Sequence, residues 1–314
     1  DDTDDPITPG VVGNTLWLRA DIGVTGGSDV TLWEDQTTSN ADFTGSGTPN
    51  NTVAANNLNF NPVVTFVSGD TDYLTYTGNL NPRSIYIVYN DTSNEQWATP
   101  FTNTDGNGIG HGHSDDTQIY GTTWTPPDVY NGAEYVNGLA VDFLTQDRPD
   151  NFEMQTRIFV SNISNESVQY TIGKDRAAQA TSRIIIGSVA ELIFYSDSHT
   201  DARKQQVETY LAIKYGFTLS SASYSGDIVE GDYILADQTT KVWDSESTYH
   251  NDVAGIGRDD AMVLNQKQSK SVNSDAIVTI GLSSISSTNA ANGNTFTSNK
   301  DFLVWGNNNG SVLE

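Results

Sequence analysis

The shortness of its apolar runs is the feature of this sequence that most limits its fold. Up to residue 197, runs of only three to five apolar or alternating residues are separated by Gly, Asn, Asp and Pro. These runs are residues 16–18, 63–66, 85–89, 157–160, 183–186 and 191–195. Short β-branched runs between turn residues are typical of antiparallel strands. We therefore expect a mainly β fold, a two-sheet antiparallel sandwich or jelly roll rather than alternating strands and helices.

One stretch, residues 198–215, contains neither Gly nor Pro and predicts a single amphipathic helix. Its side chains recur at helical spacing at Val207, Tyr210, Leu211 and Lys214. Ser198 and Asp201 have the spacing of a capping box, and Gly216 stands where a left-handed C-terminal cap is expected. This helix is expected to close the first domain.

The charge of the chain excludes two classes of partner. Its 314 residues carry 15 Lys and Arg against 40 Asp and Glu, a net charge of −25. Nucleic acid and anionic membrane surfaces both require a basic footprint, so we expect neither as a partner. No apolar run reaches the roughly 18 residues of a membrane span, which argues against membrane insertion. The absence of cysteine excludes disulfides and thiolate chemistry.

The pattern of runs divides the chain into two domains. Residues 1–9, rich in Asp and Pro, are interpreted as a linker, and residues 10–219 as the first domain. Residues 220–312 form a second, smaller β-rich domain with strands expected at 233–235, 242–243, 276–280 and 302–305. Residues 313–314 are consistent with a cloning scar, in which case the second domain continues beyond this chain.

Several motifs in the first domain resemble the concanavalin A-like, laminin-G-type jelly roll of large secreted surface proteins of Bacteroidetes. The motifs are Trp17-Leu18-Arg19-Ala20-Asp21, Trp33-Glu34-Asp35-Gln36, Asn61-Pro62-Val63-Val64-Thr65-Phe66, Asp72-Tyr73-Leu74, and residues 190–195 followed by residues 203–216. The second domain is similar to an uncharacterised module that follows this jelly roll in such proteins. The resemblance implies a secreted or cell-surface protein that binds calcium and recognises glycans or proteins.

The resemblance also implies a calcium site. Acidic and amide side chains at the matching positions are Asp21, Asp35, Asn40, Asp42 and Glu191. Their oxygens suit Ca²⁺, although Ala190 stands where the pattern commonly has an Asp. The alternative is that they are turn residues and strand ends, since Asp and Asn are common in turns.

A second group of side chains, aromatic rings and histidines in the middle of the first domain, predicts a ligand surface. Its candidates are Trp97, His111, His113, Tyr120, Trp124 and Tyr130. Planar rings stack on sugars, and variable loops on a rigid sandwich are common recognition sites. The alternative is that half or more of these rings pack in the core or at a sheet edge.

No catalytic residues are predicted, because no known acid pair, nucleophile motif or phosphate loop is present. The leading hypothesis is a non-catalytic, calcium-stabilised binding module for carbohydrate within a larger adhesin or polysaccharide-processing protein. A structural spacer or protein-adhesion module is the alternative. A polysaccharide hydrolase or lyase with unusual acids is the third.

Overall fold

The computed structural model shows a mainly β protein with several antiparallel sheets and few helices. It describes residues 8–26, 29–46, 52–67, 73–93, 95–103, 109, 117–122, 125–163, 167–175, 183–221, 231–245 and 248–310.

The strands and helices are short and follow one another closely along the chain. In order they are β1 (Asn14–Arg19), β2 (Val24–Thr25), β3 (Leu32–Trp33), β4 (Phe43–Ser46), β5 (Thr52–Leu58), β6 (Asn61–Phe66), β7 (Tyr73–Gly78), β8 (Ser84–Asp91), β9 (Phe101–Asn103), α1 (Pro127–Tyr130), β10 (Ala133–Val136), β11 (Leu139–Ala140), β12 (Glu153–Ile158), β13 (Val168–Ile172), β14 (Gly187–Tyr195), α2 (Asp201–Tyr215), β15 (Tyr233–Ile234), β16 (Lys241–Trp243), β17 (Asn251–Asp259), β18 (Leu264–Gln266), β19 (Gln268–Lys270), β20 (Thr279–Gly281) and β21 (Phe302–Asn307).

Two large antiparallel sheets form the first part of the chain. One has the order β11-β10-β12-β8-β14-β6-β5, with β1 also paired to β14, and the other has the order β2-β3-β4-β7-β13-β9. Both sheets contribute to one hydrophobic core: Leu192 and Phe194 come from the first sheet, and Phe43, Leu74 and Tyr170 from the second. This arrangement is compatible with a β-sandwich.

The other face of the first sheet carries a second core that extends to the C-terminal part of the chain. Trp17 and Ile193 of the sheet, Tyr210 of α2, and Val253 and Leu264 of the C-terminal strands all belong to it. Helix α2 therefore lies between the first sheet and the C-terminal strands, and one continuous apolar cluster connects the two regions.

The predicted helix is present, with two corrections. It is capped at its N-terminus by Thr200, whose hydroxyl accepts from the Arg203 N–H at 3.4 Å, instead of by Ser198. Gly216 is the left-handed C-cap with φ +77°, as predicted. The helix is also not amphipathic in the expected sense, because residues 204–215 are all buried by the sheet on one side and the C-terminal strands on the other.

The C-terminal strands form three small antiparallel sheets, β15-β16, β18-β17-β21 and β19-β20. The strands predicted at 233–235, 242–243 and 302–305 correspond to β15, β16 and β21. The strand predicted at 276–280 overlaps β20 only at residues 279–280, and β17 to β19 were not predicted. In the first region, residues 183–186 form only an isolated bridge before β14, from Ile184 to Lys174. None of the described helices has the length and apolar character needed to cross a membrane.

Candidate functional site

The structure brings two of the predicted metal ligands together around a lysine. The Lys214 Nζ atom of α2 lies 2.9 Å from Asp21 Oδ1, just beyond β1, and 2.7 Å from Glu191 Oε2 on β14. Glu191 is fully buried, and its carboxylate also accepts from the Tyr215 hydroxyl at 2.7 Å and from Trp17 Nε1 at 2.6 Å. Both oxygens of this carboxylate thus have protein donors.

Asp21 has a second cationic neighbour. Arg19 donates through Nε and Nη2 to the two carboxylate oxygens of Asp21, at 3.1 and 2.6 Å. Burial by itself would raise the pKa of Asp21, but the charges of Lys214 and Arg19 outweigh it and hold that pKa well below its usual range. Asp21 is therefore a stable carboxylate at neutral pH.

The other acidic candidates organise the loop after β3. Asp35 accepts at Oδ1 from the Trp17 N–H at 2.8 Å, and at Oδ2 from the Thr37 hydroxyl at 2.6 Å and the Ala41 N–H at 3.0 Å. Asp42 Oδ1 in turn accepts from the Asp35 N–H at 2.9 Å. Backbone and hydroxyl donors thus occupy these oxygens, which is the turn role that Asp commonly has.

Asn40 completes the set of predicted metal ligands. It has a left-handed backbone with φ +49°, and its amide donates to the Thr38 carbonyl at 3.1 Å. In the described part of the chain, no three His, Asp or Glu side chains converge as a metal site. Where Asp21 and Glu191 do meet, the Lys214 ammonium stands between them, so these residues do not fit a calcium ion. Calcium binding elsewhere in the chain remains a prediction.

Trp97, the first of the predicted ligand residues, is half-buried on a tightly held loop. The Arg148 guanidinium donates to three carbonyls of this loop, those of Ser93 at 3.2 Å, Glu95 at 2.9 Å and Ala98 at 2.8 Å. Trp97 has φ +62°, a left-handed conformation that costs a bulky residue on the order of 1 kcal/mol. The surrounding bonds therefore hold the backbone at Trp97 in a conformation that the chain would not adopt unaided.

A buried ion pair anchors the same loop to the first sheet. Arg148 Nε lies 3.3 Å from Asp91 Oδ2 at the end of β8, and both side chains are almost fully buried. Asp91 Oδ1 accepts from the backbone N–H groups of Ser93 at 2.8 Å and Ile186 at 3.1 Å. Burial raises the pKa of Asp91, although Arg148 and these bonds oppose the rise. The loop that carries Trp97 is thus fixed at both ends.

Trp97 also has a charged neighbour. The Arg183 guanidinium lies 5.3 Å from the centre of a Trp97 ring, within cation–π distance, and its Nη1 is 2.8 Å from Asp175 Oδ2. Arg183 is part-exposed, whereas Asp175 is fully buried. The part-exposed guanidinium therefore lies over the half-buried Trp97 ring.

The other described candidates lie in or against the core. Tyr120 is fully buried, with its ring 5.5 Å from that of Phe143 and 5.0 Å from the Arg157 guanidinium. Tyr130, at the end of α1, is half-buried and packs against the main core. These two rings thus have the packing role that was the alternative for this group. The remaining candidates, His111, His113 and Trp124, lie outside the described residues.

A row of polar side chains on the core-facing side of β12 was not predicted. Arg157 Nη2 donates to Gln155 Oε1 at 2.8 Å, and Gln155 Nε2 donates to Glu153 Oε1 at 2.7 Å and to the Tyr89 hydroxyl at 2.9 Å. Glu134 of β10 is the cross-strand neighbour of Arg157. Burial raises the pKa of Glu134 to about 8 and that of Glu153 to about 7. The row therefore places polar groups inside the sandwich. It ends at Glu153, which is half-buried.

In a comparison with known families, residues 203–314 match a domain of unknown function (DUF8202). The match begins inside α2 and continues through the C-terminal strands, so it includes the helix and strands that share the second core. It covers roughly a third of the chain and supplies no activity or ligand. No curated protein matches the sequence.

Proposed function

We propose that this chain is a non-catalytic, extracellular or cell-surface module that binds carbohydrate, within a larger adhesin or polysaccharide-processing protein of the Bacteroidetes type. Its first part is proposed to be a concanavalin A-like jelly roll, which the two antiparallel sheets with their shared core support. The C-terminal part, which resembles a domain of unknown function, is proposed to be a companion domain.

The observation that carries the proposal is that a tightly held loop places the half-buried ring of Trp97 at the surface. A sugar ring stacks on an indole whose position is fixed before binding, because no conformational entropy is then lost by the protein. The three carbonyl bonds from Arg148 and the buried Asp91 pair fix the backbone of the loop that carries the indole. The part-exposed Arg183, whose guanidinium lies over the ring, is proposed to supply hydrogen-bond donors for sugar hydroxyls.

The test is a polysaccharide binding screen by affinity electrophoresis, followed by the Trp97→Ala variant on each positive polysaccharide. We expect Trp97→Ala to lose retention while its circular dichroism spectrum stays that of the wild type. Tyr249→Ala is the matched control, because Tyr249 is an exposed ring, 53% accessible, in the C-terminal region. Absence of wild-type binding to every polysaccharide, or equal loss in both variants, would contradict the proposal.

A spacer or protein-adhesion module is the second candidate function, and the continuous second core favours it. Residues of the first sheet, α2 and the C-terminal strands pack in one cluster, which gives the chain the stiffness that a projecting spacer needs. The two functions differ in a thermal shift assay: a glycan-binding module is stabilised by its polysaccharide, whereas a spacer melts at the same temperature with and without it.

A further inference from the structure

The Lys214 ammonium group is surrounded by oxygens in the way that a bound metal ion would be. The ammonium group has three N–H donors, and three oxygens lie within hydrogen-bond distance: Asp21 Oδ1 at 2.9 Å, Glu191 Oε2 at 2.7 Å and the Tyr210 hydroxyl at 3.1 Å. All of its donors are therefore satisfied. The rings of Tyr210 and Tyr215 lie 5.5 and 5.2 Å from Nζ and add cation–π contacts.

The charges of the cluster balance without a metal. Asp21 and Glu191 supply two negative charges, and Lys214 and Arg19 supply two positive ones, all in direct contact. A Ca²⁺ ion takes six to eight oxygen ligands, whereas the oxygens of Glu191 already accept from three protein donors. Adding a divalent ion here would leave an uncompensated buried charge, which is costly in the protein interior.

The position of the cluster in the fold shows what it connects. Asp21 follows β1, Glu191 lies in the middle of β14, and Lys214 lies in the last turn of α2. We propose that the Lys214 ammonium does in this chain what a bound calcium ion would do, joining strand β14 and the segment after β1 to the helix. The folded state of this part of the chain consequently needs no calcium.

Two measurements on the full chain test this proposal. The first is the change in melting temperature between CaCl₂ and EDTA, which we expect to be the same in the wild type and in Glu191→Gln. The second compares Lys214→Met with the control Lys300→Met, whose lysine is 36% exposed and pairs with the part-exposed Asp237. Lys214→Met leaves the buried Glu191 carboxylate without its cation and should lower the melting temperature by about 10 °C or more. The control should change it by no more than about 3 °C.

A double variant separates charge compensation from simple packing. Lys214→Met with Glu191→Gln removes one charge of each sign, so Asp21 keeps Arg19 and the cluster is again neutral. We expect the double variant to melt at a higher temperature than Lys214→Met alone, and, where Lys214→Met does not fold, to fold. A double variant no more stable than Lys214→Met, or a wild type that EDTA destabilises more than it destabilises Glu191→Gln, would overturn the proposal. Neither result depends on whether the chain binds glycan.

Discussion

A buried histidine gives the chain a pH dependence that can be calculated and isolated. His199 lies just before α2 and is only 6% exposed, with Nδ1 2.7 Å from the Tyr86 hydroxyl and its ring 4.2 Å from that of Tyr195. Burial, together with the positive charge of Arg203, lowers the pKa of His199 to about 3. The imidazole is therefore neutral in the folded chain at all but strongly acidic pH.

The sign and size of the effect follow from proton linkage. In the unfolded chain the imidazole takes up a proton near pH 6.5, whereas in the folded chain it is protonated only near pH 3. The unfolded state thus binds more protons between these values, and the free energy of unfolding falls as the pH drops through this window. At about pH 5 the loss from His199 is about 2 kcal/mol relative to neutral pH.

The assay compares the wild type with His199→Gln, which retains a hydrogen-bonding side chain but cannot titrate. Urea unfolding of both chains at about pH 7.5 and about pH 5 cancels the contributions of all other groups. We expect the wild type to lose about 2 kcal/mol more than His199→Gln between these conditions. Parallel losses in the two chains would refute the argument that a neutral, buried imidazole is required.

Three further predictions concern other buried positions. Arg148→Met leaves Asp91 buried without its cation and should cost about 3 to 5 kcal/mol in urea unfolding, with the near-UV signal of the tryptophans altered. Gly216→Ala places a Cβ 2.3 Å from the Lys270 carbonyl oxygen at a backbone φ of +77°, so it should cost about 2 kcal/mol or more. Since burial raises the pKa of Glu134 to about 8, the wild type should lose stability relative to Glu134→Gln as the pH rises from about 5 to about 8, and the difference should then level off.

The sequence predicted the class of fold and its one long helix because both depend on local patterns. Turn residues between β-branched runs specify strands wherever they fall, and Gly216 ends α2 as a left-handed cap. The burial of α2 on nearly all sides could not be predicted, because it depends on a second region folding over the helix. Polar residues such as Gln205, Gln206 and Glu208 would normally indicate a solvent-exposed face of a helix. In the structure they instead form hydrogen bonds with neighbouring strands and loops.

The candidate site was predicted only in part, for physical reasons that differ between residues. Asp21 and Glu191 were identified as partners across 170 positions of sequence, but the resemblance gave no reason to place Lys214 between them. Gln155 and Arg157 alternate on β12 with Met154, Thr156 and Ile158, and such alternation normally indicates a solvent face. Here the polar side faces the core, where the rings of Phe101 and Phe143 surround the guanidinium.

If Trp97 forms the contact surface for carbohydrate, as we propose, removing its ring must weaken binding, and a titration measures this loss. Isothermal calorimetry of the best-retained polysaccharide is carried out with the wild type and with Trp97→Ala. We expect the variant to bind about 10-fold more weakly or worse, because a central aromatic contact is lost. Equal affinities in the two chains would contradict the claim that Trp97 is the recognition surface.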